Sequence, residues 1–79
     1  MTNIQLQAMH SIWCAENNII IYAEGIKNSH MCRIIVNFKG KKIIGTKTYK
    51  QKNLTKGDEK WWEVIYKLRE EYYNKFNKN

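Results

Sequence analysis

The segment Met31–Tyr49 constrains this chain more than any other stretch of it. Met31–Phe38 alternates throughout, with Cys32, Ile34, Val36 and Phe38 on one side and Met31, Arg33, Ile35 and Asn37 on the other. A period of two marks a strand, because successive side chains point to opposite faces. Lys39-Gly40-Lys41 follows, and Gly40 can take the positive φ that a tight hairpin turn requires. Ile43–Tyr49 then reads as the returning strand, with Gly45 a candidate bulge. Upstream, Asn18–Ile26 is dense in β-branched Ile and reads as a third strand, with the turn held in Gly25–Ser29.

Helical patterns flank these strands. In Thr2–Asn17, the residues Ile4, Ala8, Ile12 and Ala15 form one stripe, widened by Met9 and Trp13, and this stripe is expected to face the sheet. The alternation of Asn3–Gln7 leaves a short opening strand as the alternative. At the other end, Trp61, Ile65, Leu68, Tyr72 and Phe76, with Val64 beside them, define the core stripe of a closing helix from Asp58 to about Phe76. Such a helix is about 28 Å long. Thr55 and Asp58 both offer N-cap oxygens, and Asp58 and Glu59 at its start with Lys75 and Lys78 at its end suit the helix dipole. The expected fold is one α+β domain over residues 1–79: helix, three-stranded antiparallel sheet, C-terminal helix.

At 79 residues the chain has room for one small core and not for a multidomain enzyme. The longest unbroken apolar run is the five residues Ile19–Ala23, where a membrane span needs about 20. The start MTNIQLQAMH has no basic region and no apolar region of a secretion signal, so a cytoplasmic location and reduced cysteines are expected.

Two histidines and two cysteines raise the question of zinc. His10 and Cys14 fall on one helix face, and His30 and Cys32 on one strand face, but no Cys-x-x-Cys pair or finger spacing joins them. His10 and Cys14 also lie opposite the Ile/Ala stripe and are expected to point away from the sheet. No metal and no cofactor is expected. The carboxylate pairs Asp58/Glu59 and Glu70/Glu71 are adjacent on a helix and diverge, and no Gly-rich phosphate loop is present. Nothing assembles a catalytic site, and the chain reads as a binding protein and not an enzyme.

Charge gives the strongest functional signal. The net charge is +7, and residues 1–26 carry Glu16 and Glu24 with no Lys or Arg. Residues 27–56 carry Lys27, Arg33, Lys39, Lys41, Lys42, Lys47, Lys50, Lys52 and Lys56 with no acid, and the remainder cancels. The chain is rich in Lys, Asn and Ile together, as AT-rich genomes encode, but that bias does not segregate charge along a chain. A cationic block of this kind attracts polyanions, of which nucleic acid is the commonest. Lys50, Lys52, Lys56 and Lys60 gather around the start of the closing helix, whose N–H groups already favour an anion.

A second stripe of the closing helix, Trp62, Tyr66, Arg69 and Tyr73, exceeds what one helix face needs to bury. It either packs on the first helix or wraps the sheet edge, or else it serves as a protein-binding or self-association face that could make the chain a homodimer, since Trp, Tyr and Arg are hot-spot residues.

The α-β-β-β-α order resembles a double-stranded RNA-binding domain. The first hairpin, Gly25 to His30 followed by Met-Cys-Arg and an apolar run from Ile34, is similar to that family's His-bearing loop. Asn37-Phe38-Lys39-Gly40-Lys41, then Ile43-Ile44-Gly45, is similar to its strand–turn–strand pattern, and the lysines before the last helix resemble its Lys-rich helix start. The resemblance implies a duplex-RNA face. Gln5, Gln7 and the His30 loop would touch minor grooves, with Lys27, Lys50, Lys52, Lys56 and Lys60 on phosphates between them. A second resemblance, in size and composition, is to small phage-encoded inhibitors of bacterial defence nucleases. In that reading the lysine block and the aromatic stripe dock on a CRISPR-like protein or ribonucleoprotein complex.

Overall fold

The computed structural model describes residues 2–77 and has the expected order: α1 (Asn3–Glu16), β1 (Ile19–Gly25), β2 (Met31–Phe38), β3 (Lys41–Lys50) and α2 (Trp61–Phe76). The strands form one antiparallel sheet in the order β1-β2-β3. Opposite partners run from Ile19 with Phe38 to Gly25 with Cys32, and from Phe38 with Lys41 to Met31 with Lys50. Asn3–Gln7 is helical, not a strand.

Each turn follows from its residues. Phe38 and Lys41 flank the two-residue loop Lys39-Gly40, whose φ values of 51° and 90° suit the right-handed twist of the strands. The Asn37 side chain accepts the Gly40 amide at 3.1 Å. Among the described residues, three of the four non-glycine residues at positive φ are asparagines, Asn18, Asn28 and Asn53, each in a connection, where a short polar side chain tolerates the left-handed region. Gly45 occupies the expected bulge. Between the pairs Arg33–Thr48 and Ile35–Ile44, β2 holds only Ile34 while β3 holds Gly45, Thr46 and Lys47. A Cβ on Gly45 would lie 2.8 Å from the Ile34 carbonyl oxygen, so only glycine fits this approach.

Both helices lie on the sheet face of Ile19, Ile21, Ile34 and Val36, and Ile65 of α2 and Cys14 of α1 complete the buried cluster. Trp61, Val64, Leu68 and Tyr72 pack around it, as the α2 stripe predicted, and Phe76 remains half exposed beside Phe38 at 5.4 Å. α2 packs over β1 and β2. Between α2 and β3 runs an apolar groove of about 330 Å³ lined by Ile43, Gly45, Tyr49, Val64 and Leu68. On the opposite sheet face Ile35 is fully buried in the middle of the sheet, between Tyr22 and Ile44 in register.

α1 is rotated about its axis from the sequence expectation. Ile4 is 79% exposed and Ile12 60%, and Ala8 and Ala15 are exposed with them. His10 and Cys14, expected to face outward, are the buried residues of this helix. The reason is the neighbour: Tyr73 of α2 sets its ring 4.8 Å from His10 and 5.5 Å from Trp13. The Cys14 thiol donates to the Arg69 carbonyl at 3.8 Å. A small thiol and a flat imidazole let the two helices approach closely, which an Ile-bearing face would prevent.

α2 begins at Trp61 and not at Asp58. Asp58 and Glu59 therefore precede the helix, and only Glu63 stands in its first turn. Lys75 occupies the last turn as expected, and Lys78 lies outside the described residues.

Candidate nucleic-acid interface

The β1–β2 loop is folded by its own backbone. The Ile26 amide donates to the Met31 carbonyl at 2.9 Å, and the Ile26 carbonyl accepts the Ser29 amide at 3.2 Å and the Ser29 hydroxyl at 2.9 Å. Lys27 and His30 are exposed on this loop. The Gln51 amide donates to the His30 carbonyl at 2.8 Å, which ties the loop to the segment that follows β3. Two stretches far apart in sequence thus share one end of the sheet.

The segment from Gln51 to Lys60 is shaped by Asp58. Its carboxylate accepts the Thr55 amide at 2.9 Å and the Thr55 hydroxyl at 3.0 Å, while the Thr55 carbonyl accepts the Asp58 amide at 3.0 Å. Thr55 and Asp58 thereby cap one another in a closed turn, and neither caps α2. Lys50, the last residue of β3, adds an ion pair to Asp58 at 3.2 Å. The Thr55 amide bond, then the Thr55 hydroxyl and Lys50, hold the Asp58 carboxyl below its ordinary range. Glu59 hydrogen-bonds Lys47, which raises that amine above its ordinary value.

Asp58 and Glu59 are therefore each engaged by a lysine, whereas Glu63 in the first turn of α2 forms no ion pair among the described residues. Lys27, Lys52, Lys56 and Lys60 form no ion pair among the described residues. Lys60 is the N-cap residue of α2, and no side chain caps that helix among the described residues. Its first N–H groups are left to solvent or to an anion. All six residues expected to meet nucleic acid stand on the two tied loops or at their edges. Gln5 stands apart from these loops, on α1, where its side chain accepts the Thr2 amide at 2.8 Å in the capping box.

The aromatic stripe of α2 divides. Tyr73 and the Arg69 backbone belong to the contact with α1. Trp62 meets Trp61 edge-on at 5.4 Å and is half buried, and Tyr66 is exposed. No cluster of three or more His, Cys, Asp or Glu side chains able to hold a metal occurs among the described residues. Burial raises the thiol pKa of Cys14 and of Cys32, so both stay protonated and unreactive at neutral pH. No helix among the described residues is long and apolar enough to cross a membrane.

Fold and charge together define a two-layer α+β protein with a basic loop end. No family model, curated protein or solved structure matches the chain.

Proposed function

We propose that this chain is a nucleic-acid-binding module that grips the phosphates of duplex RNA with Lys27, Lys52, Lys56 and Lys60, alongside His30 and Lys50. The observation that carries this reading is the tie between the Gln51 amide and the His30 carbonyl. It brings the cations of the β1–β2 loop beside those preceding α2. Asp58 and Glu59 are already paired with Lys50 and Lys47, so Lys27, Lys52, Lys56 and Lys60 outnumber Glu63, the unpaired acid in the first turn of α2, and leave a net positive potential for a polyanion. Lysines act on phosphates as point charges, so the module positions itself on a backbone and reads little sequence. The uncapped start of α2 adds N–H donors to the same region.

The test is a titration with duplex RNA, duplex DNA and single strands at several salt concentrations. Four phosphate contacts give a slope of log K against log salt of about −3.6. The triple variant Lys52→Glu/Lys56→Glu/Lys60→Glu should abolish most of the affinity on every sequence equally. Weak, salt-independent binding to every one of these nucleic acids would overturn the proposal. It would favour docking on a protein complex instead, for which loss of partner capture in Trp62→Ala and Tyr66→Ala is the check.

A further inference from the structure

The outward face of α1 has no partner among the described residues. Ile4, Ala8, Ile12 and Ala15 fall on one stripe, turned away from the face that buries His10 and Cys14. Ile4 and Ile12 are exposed at 79% and 60%, and Ala8, Met9, Ile12 and Trp13 line one shallow surface beside them. We infer that this face is a two-fold interface at which a second copy of the chain docks its own α1 antiparallel to the first.

Three observations select a second copy as the occupant. The order Ile-Ala-Ile-Ala is self-complementary. About a dyad near residue 10, an antiparallel α1 sets Ile4 opposite Ala15 and Ala8 opposite Ile12, so each large side chain meets a small one. Ala8 and Ile12 lie equally close to the dyad, so each short Ala8 makes room for Ile12 of the other copy.

Charge points the same way. The chain carries +7, yet α1 has no Lys or Arg and only Glu16 as an acid. This is a face on which two strongly cationic copies can meet without opposing their lysines. A membrane surface is a poorer match, because interfacial helices flank their apolar face with Lys and Arg.

The helix dipole then fixes the direction. α1 has no acid in its first turn and no base in its last. Antiparallel pairing sets Glu16 of each copy beside the positive N-terminal end of the other.

The patch is short. Ile4 to Ala15 spans about 16 Å of helix, which places the contact at the weak, reversible end of protein interfaces. The dimer should therefore form over the micromolar to millimolar range.

Sedimentation equilibrium across that range, at low and high salt, tests the inference. The expected result is a reversible rise in mass from 9.5 kDa toward twice that value, strengthened by salt as the net charges are screened. Nucleic-acid binding weakens with salt, so the two behaviours are separable. Ile12→Glu and Ile4→Glu, both at exposed positions, should each weaken the dimer by about 30-fold or more, with far-UV circular dichroism unchanged. Ala8→Leu should also weaken it, because a large side chain would then oppose Ile12. A chain that stays monomeric at millimolar concentration, a dimer indifferent to Ile12→Glu, or one tightened by Ala8→Leu would each overturn the inference.

Discussion

The two helices lie side by side on one face of the sheet, yet they relate to it in opposite ways. α2 turns its most apolar stripe inward: Ile65 is buried, with Trp61, Val64, Leu68 and Tyr72 packed around it. α1 turns its Ile/Ala stripe to solvent and buries a histidine and a cysteine. The starts differ as well. α1 opens with a reciprocal capping box between Thr2 and Gln5, whereas α2 opens at Lys60 with no side-chain cap. A helix that covers the sheet is oriented by its own hydrophobic pattern. A helix wedged against another helix is oriented by which of its faces lets the two approach.

The sharpest way to break this contrast is to truncate one isoleucine on each helix. Ile65→Ala should cost about 2–5 kcal/mol in a urea melt, as for a buried aliphatic side chain. Ile12→Ala, measured in dilute solution, should change stability by no more than about 0.5 kcal/mol. Comparable losses at both sites would mean that α1 is turned inward after all.

The close approach of the helices predicts the next effect. Cys14→Leu should cost about 1–3 kcal/mol by overpacking the contact with the Arg69 carbonyl. Ala15→Leu, one position along and exposed, should cost no more than about 0.5 kcal/mol.

The capping difference gives a smaller pair. Thr2→Ala should destabilise by about 0.5–2 kcal/mol, since it removes an existing cap. Lys60→Asp should stabilise by about 0.5 kcal/mol or more by supplying one that is missing, while weakening nucleic-acid binding.

The last effect is confined to the approach to α2. The folded Asp58 carboxyl is held below its ordinary value of 3.8, so the contribution of its turn is complete above that pH and is lost as pH falls below it. The Thr55 amide resonance should move on acidification through that window. The Gln5 amide, bonded to a neutral hydroxyl in the capping box, should not.

Much of this was legible in the chain. The Cys32, Ile34 and Val36 face of β2 was readable because helices cover it, although Ile35 on the other face is buried as well, and the Lys39-Gly40 turn follows from local chemistry. The α2 stripe was readable because that helix packs on a sheet, where burial of apolar surface outweighs the other forces that orient a helix. The α2 start was misplaced because Asp58 found a nearer partner in Thr55 than any helical amide. The candidate lysines were visible as a charge block, but the hydrogen bond that unites Lys27 and His30 with the later loop joins residues 21 positions apart, His30 and Gln51. That pairing exists only once β2 and β3 are in register.

By itself, then, the sequence determined the elements, their order, the sheet and the cationic block. Each of these arises from local conformational preference, hydrophobic period or charge along the chain. The rotation of α1, the burial of His10 and Cys14 and the joining of the two basic loops were decided by tertiary structure. They depend on which side chains of distant elements fit together at close range, and hydropathy along one helix does not encode the shape of its neighbour.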